Sequence, residues 1–356
     1  MWILQKKAPP KPPKPTVAEK IKSSKKTDGL FTIYQDTATG SVQLYINKDQ
    51  LGKEYIYQSF SMGGPTSLYL NQNMIRATFA FSIGKAFDKL EFAQQNTNFY
   101  YDSLNAVSKA ANVDAAPAIF FSEKIVAEDS TGYLVAADGL FLSEKMDAVK
   151  PLVVPGTPPT AVFNLGMLNA GKSKYSHIRS YPDNTDVVVD LVYDNPMPFN
   201  QGGADVTDAR YNSIRMQHSF LAMPQNNYRP RRDDPRVGYF GAEVQDLTSV
   251  SATPYKDFIS RWNLVKKDPA AAISEPVEPV VYWIENTTPV EYRQIIKEAG
   301  EKWNEAFEKA GFKNAIIGKE APTKAEDSTW SLEDARHSGI IYKPSPVENA
   351  YGPSTI

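Results

Sequence analysis

Three histidines, His177, His218 and His337, are the side chains in this sequence best suited to bind zinc or carry protons near neutral pH. A catalytic zinc takes three protein ligands and a water, and the HExxH arrangement sets two of them one helical turn apart with a general-base Glu between. No pair here has that spacing. His218 sits in "NSIRMQHSFLAM" (212–223), where Ile214, Met216 and Phe220 share its face of an alternating strand, so it reads as a hydrogen-bonded core histidine. His177 and His337 read as surface or strand residues. The absence of cysteine excludes disulfides, thiolate zinc sites and a cysteine nucleophile. A serine nucleophile elbow, GxSxG, is also absent.

"GMLNAGKS" (166–173) matches the phosphate-loop pattern GxxxxGK[ST] letter for letter, and "VVVD" ending at Asp190 imitates a magnesium-binding strand end. That chemistry needs a helix directly after the loop, whose N-terminal N–H groups hold the phosphates. Ser173 instead leads into "KYSHIRSYPDNTD", which reaches Pro182 without an apolar helical stripe, so the motif is expected to be a glycine turn between strands. "YRPRRDDPRVGYF" (228–240) carries four arginines, but Asp233 and Asp234 among them predict a rigid extended segment with local Arg–carboxylate pairs.

The elements that must position these residues are mostly strands. "LFTIY" (30–34), "SVQLYI" (41–46), "EYIYQSF" (54–60), "IRATFAFSI" (75–83), "GYLVAADGLFL" (132–142) and "DVVVDLVYD" (186–194) are rich in β-branched and aromatic residues. "DSLNAVSKAANV" (102–113) is the best short helical exception. A chain of 356 residues, 42% hydrophobic and 12% aromatic, has enough apolar material for two domains. A net charge of −2 gives no overall field for nucleic acid or an anionic membrane, so no nucleic-acid partner is expected. The start, "MWILQKKAPPKPPKP", has too short an apolar run for a secretory signal, and no apolar stretch is long enough for a membrane-spanning helix. Residues 1–27 read as a Pro/Lys-rich linker.

Near the other end, "TTPVEYRQIIKEAGEKWNEAFEKAGFKNA" carries helix signals. Thr288 is the expected N-cap, Pro289 the first helical residue and Glu291 the partner in a capping box, with Gly311 as the stop. Tyr292, Ile295, Ile296, Ala299, Trp303, Ala306, Phe307 and Ala310 fall at spacings of three and four, a stripe that must lie on a sheet or another helix. "PVVYWIE" (279–285) and "FKNAIIG" (312–318) flank it as strands of a β-α-β unit, and "HSGIIYKP" (337–344) would add a third.

Several of these segments resemble a family of large bacterial zinc-dependent metalloproteases, the met-zincins, in which an N-terminal domain of unknown function precedes the protease domain. The similar segments are "DARYNSIRMQHSFLAMP", the arginine-rich run 228–240, "RWNLVKKDPAAAISEPVEPVVYWIE" and "WNEAFEKAGFKNAI". In that family a segment like "AYGPSTI" (350–356) leads toward HExxHxxGxxH. The sequence here stops at Ile356, so no catalytic residue and no metal ligand is carried over. The resemblance implies only that Tyr351 and Gly352 lie near the substrate-side rim of the cleft. It also implies zinc as cofactor of the full-length relative with none in this chain, a peptide or protein substrate for that relative, and a periplasmic, cell-surface or secreted location.

The resulting expectation is an α+β chain. A linker (1–27) precedes a β-rich antiparallel domain (28–255), a connector (256–278) and the incomplete start of a zincin-like α/β protease domain (279–356). The expected function is the N-terminal part of a zinc metalloendopeptidase, itself inactive. A non-catalytic β-rich envelope module binding peptide or glycan is the alternative, followed by a P-loop nucleotide hydrolase. The zincin reading further predicts exposed apolar surface on the C-terminal helix or strands.

Overall fold

The computed structural model of the chain describes residues 15–111, 114–347 and 351–352. Most of the N-terminal tether read from sequence lies outside the described residues. Its last part forms α1 (Val17–Lys20), closed by a Thr16/Glu19 capping box, and β1 (Ser24–Thr27).

From there the chain alternates between strands and turns. The first strands are β2 (Thr32–Asp36), β3 (Val42–Asn47), β4 (Glu54–Gly63), β5 (Met74–Ala86), β6 (Lys89–Gln94) and β7 (Phe99–Tyr100). Then come β8 (Ala118–Glu128), β9 (Gly132–Ala136), the short α2 (Asp138–Phe141), β10 (Met167–Leu168), β11 (Lys174–Ser180), β12 (Asn184–Asp194) and β13 (Tyr211–Ala222). All of these strands except β7 join one sheet in the order β1-β2-β3-β9-β8-β6-β5-β4-β13-β12-β10, with β11 also pairing β12. Every pairing within it is antiparallel.

Alternation explains how this sheet encloses a core. In β4 the residues Tyr55, Tyr57, Ser59 and Ser61 point inward while their neighbours are more exposed, and β13 supplies Ile214, Met216, His218 and Phe220 opposite them. The sheet curls until its first strands approach β11 and β12: Leu30 N donates to the Tyr181 carbonyl at 2.8 Å and Phe31 N to Thr185 Oγ1 at 2.9 Å. The result is a large β-sandwich around one continuous core, in which Phe31, Tyr57, Phe81, Phe92, Phe141, Val187 and Phe220 meet. Phe81 alone touches the rings of Tyr55, Phe92, Phe120 and Phe220 at 5.4–6.2 Å.

Two small sheets complete the described chain. β14 (Gly241–Asp246) pairs with β15 (Tyr255–Ile259) and with β7. β16 (Val280–Ile284) lies between β17 (Ile316–Glu320) and β18 (Ser338–Ile340), parallel to both, with α3 (Val290–Glu301) and α4 (Asn304–Lys309) between β16 and β17. The free edge of β17 is covered by side chains: Asn304 donates to the Ile316 carbonyl and accepts from Ile316 N, and Glu301 accepts from Gly318 N at 3.2 Å.

The expected α+β class, with a zincin-like α/β domain closing the chain, is corrected by this architecture. Strand makes up 37% and helix 11% of the chain, so the fold is mostly antiparallel β. The physical reason lies in the apolar stripe of residues 292–310. It forms two helices interrupted at Lys302–Trp303, neither contains a buried residue, and the parallel sheet beneath has only three short strands. The predicted cap also fails: Pro289 occupies the N-cap position with no side-chain hydrogen bond, and the buried Thr288 hydroxyl has no partner.

Candidate functional site

The sequence motifs that imitate chemistry have structural roles. Gly166 opens the phosphate-loop match at φ 85°, where a Cβ would stand 2.1 Å from the Asp194 carbonyl oxygen, so glycine is required by the turn. Ser173 is followed by strand β11 rather than a helix. Lys172 pairs with Asp194 at 2.8 Å, and Asp190 holds Arg215 at 2.7 Å. The arginine run 228–240 is pinned to the chain: Asp234 pairs with Arg236, Arg261 stacks on Tyr228 at 4.5 Å, and Ile259 N donates to the Arg231 carbonyl. Tyr351 and Gly352 lie in exposed chain outside regular structure, and neither is on a strand.

The three histidines are far apart in role. His218 is 1% exposed, and its Nδ1 makes a 2.7 Å hydrogen bond with the Tyr57 hydroxyl while its Nε2 has no partner. Burial lowers its pKa to about 4 and pushes the Tyr57 hydroxyl well above its ordinary value, so the pair is neutral near pH 7. On the same inner face, Ser59 donates to Asp147 at 2.8 Å, and Asp147 is held by Arg76 through Nε at 2.8 Å. His337 stacks on Trp330 at 5.1 Å between rings, and its Nδ1 contacts the Ser331 carbonyl. His177 faces outward from β11, with Nε2 3.6 Å from Glu333. Among the described residues no group of three His, Asp or Glu side chains converges on a point.

The strongest cluster of perturbed groups lies on the outer face of β11, β12 and β13. Val187, Val189 and Leu191 of β12 face the core, so Asn184, Asp186 and Asp190 face the other way. In most antiparallel sheets that face meets water. Here residues 331–337, just before β18, cover it. Asn184 Nδ2 donates to the Glu333 carbonyl at 2.9 Å, and Asn184 Oδ1 accepts from Ala335 N at 2.9 Å. The Glu333 carboxylate pairs with Arg179 at 2.5 Å.

A family model described as a domain of unknown function (DUF5117) matches residues 71–267, more than half of the 356. The chain belongs to the DUF5117 family. The DUF5117 match runs from the turn before β5 to beyond β15, so it contains Arg76, Asp147, Asn184, Asp186 and His218 and leaves out Tyr57, Ser59 and Glu333. No curated protein and no solved structure matches the chain.

Within DUF5117, Asp186 is the group whose chemistry departs furthest from ordinary. It is 1% exposed, its Oδ2 accepts from Asn184 at 3.0 Å, and its Oδ1 has no partner. Burial, above all, raises its pKa to about 7; hydrogen bonds from Ser219 and Asn184 oppose the shift and the Glu333 charge adds to it. Such a carboxyl exchanges a proton near neutrality, but its burial closes it to a substrate. Sequence reasoning missed Asn184, Asp186 and Glu333. The available signal was Asp186 itself, a carboxylate inside the valine run "DVVVDLVYD" where an exposed or paired position was not assured.

Proposed function

We propose that this chain is the non-catalytic β-structured part of a zinc-dependent metalloendopeptidase, with the zinc and its general base held by a separate catalytic unit. The observation that carries this reading is the face of α3 and the residues after it. Tyr292, Ile295 and Trp303, spaced as one helical stripe, are 46%, 63% and 65% exposed. A stripe of that kind is suited to being covered by further structure. The segments 212–240, 261–285 and 303–316, which resemble met-zincin sequences, lie in β13, the pinned arginine run, β16 and the elements that carry the stripe.

The residues present do not fit zinc. His218 is spent on Tyr57 inside the core, His337 is stacked on Trp330, and His177 has only Glu333 beside it. No step of peptide hydrolysis is therefore assigned to them. In the complete enzyme zinc would activate water and polarise the scissile carbonyl. The substrate would be peptide or protein, and the place of action the periplasm, cell surface or medium.

The test is a peptide-cleavage assay on the full gene product, with and without a chelator, followed by zinc re-addition. Cleavage that chelation abolishes and zinc restores, absent from residues 1–356 alone, is the expected result. A full product that neither binds zinc nor cleaves peptides overturns the reading, and glycan or peptide binding by such a product would favour an envelope binding module.

A further inference from the structure

Among the described residues, every hydrogen bond and ion pair joining the large sheet to residues 279–347 ends on the segment 331–337. The attachment is narrow, and its centre is the Asn184 side chain. That amide behaves like a peptide unit inserted between two backbones, donating to the Glu333 carbonyl and accepting from Ala335 N. The same Nδ2 reaches Asp186 Oδ2, so Asp186 sets which way the amide points.

We propose that residues 331–337 form a pH-sensitive latch that closes the C-terminal sheet onto the outer face of β12 in acid and releases it as the pH rises.

Charge placement supports this. The groups facing Asp186 from β11 are Arg179, His177 and Tyr181; β13 offers the neutral Ser219 and Gln217; the latch offers Glu333. Arg179 is the cation in reach, and it is committed to Glu333 at 2.5 Å. Asp186 is thus left buried beneath a second carboxylate with one of its own oxygens unpartnered. In the closed state a proton relieves that arrangement. Lifting the latch lets water reach Asp186, which then ionises as an ordinary carboxylate. Closure therefore takes up a proton. Its advantage is complete below the ordinary carboxylate range, near pH 4, and is lost as the pH rises through about 7. Within that window each pH unit changes the closed-to-open ratio by up to about tenfold.

Hydrogen exchange of the whole chain between pH 5 and pH 9, corrected for intrinsic rates, reads the latch through the Ala335 amide. Wild-type protection there is expected to fall at least about tenfold between pH 5 and pH 7.5, while amides of β12 facing β13 hold theirs. Asp186→Asn keeps the shape without the charge and should remain closed and flat across the range. His177→Gln should keep the wild-type profile. Where D186N does not fold, Glu333→Gln serves instead, removing the second carboxylate and freeing Arg179, and should move the transition to lower pH. A wild-type profile without pH dependence overturns the latch. So does a D186N profile that matches wild type, a flat H177Q profile, or an unmoved transition in E333Q.

Discussion

In the large sheet, Tyr57 and Phe81 are wholly enclosed and Ile214 has no exposed surface; in α3, Tyr292 and Ile295 are 46% and 63% exposed although their spacing is just as regular. The two regions differ in what lies on the second side. The large sheet curls and so supplies its own cover, with β4 and β13 facing α2, β2 and β3 across a shared core. The three-stranded sheet is too small to curl, and α3 meets it through Arg293, Ile296, Lys297 and Gly300, leaving the rest of its apolar stripe outside. Amphipathic spacing therefore specifies an element and a face, while burial depends on whether enough chain is present to cover that face.

The largest expected difference between the regions is in core truncation. Phe81→Ala removes a ring that touches four others and should cost about 3–5 kcal/mol in denaturant unfolding. A cost below about 1 kcal/mol would mean that the sandwich core is loosely packed and that the contrast with α3 is false.

The polar interior gives the next effect. Tyr57→Phe leaves His218 Nδ1 buried without its partner, which should cost about 1–3 kcal/mol. The pH dependence has a definite sign. Because the folded pKa of His218 is lowered to about 4 from an ordinary 6.5, neutral His218 favours the fold above pH 6.5, and that advantage is lost as the pH falls toward 4. Stability should drop by up to about 1.4 kcal/mol per pH unit across that window from this residue. Urea midpoints measured at intervals from pH 7 to pH 4 would reveal it, and His218→Gln should flatten that part of the curve.

Much of the large sheet was legible because its strands alternate. "NSIRMQHSFLAM" identified both β13 and the inward position of His218, and the valine run located β12. Failure of the phosphate-loop reading was equally legible, since Ser173 precedes no helical stripe and β11 begins at Lys174. Pairing over long distance could not be read. Glu333 meets Arg179 and Asn184 across some 150 residues of chain, and no local pattern encodes that contact. The same limit produced the fold-class error. A capped helix between two strands reads as the start of an independent α/β domain, whereas its cap is unmade and its stripe is left open.

The smallest expected effect tests the comparison most sharply. Ile295→Ser replaces a side chain that is 63% exposed and belongs to no core, so its unfolding free energy should change by no more than about 0.5 kcal/mol. Ile284→Ser, in the strand beneath and 1% exposed, is the matched control and should cost several times as much. If Ile295→Ser instead destabilised residues 1–356 by about 2 kcal/mol or more, the stripe would already be buried in solution, by a second copy or by parts of the chain outside the described residues. A dependence of that loss on protein concentration would single out the second copy. A negligible loss in residues 1–356 combined with a large one in the full gene product would show the stripe to be the seat of further structure, which is the arrangement the proposed function requires.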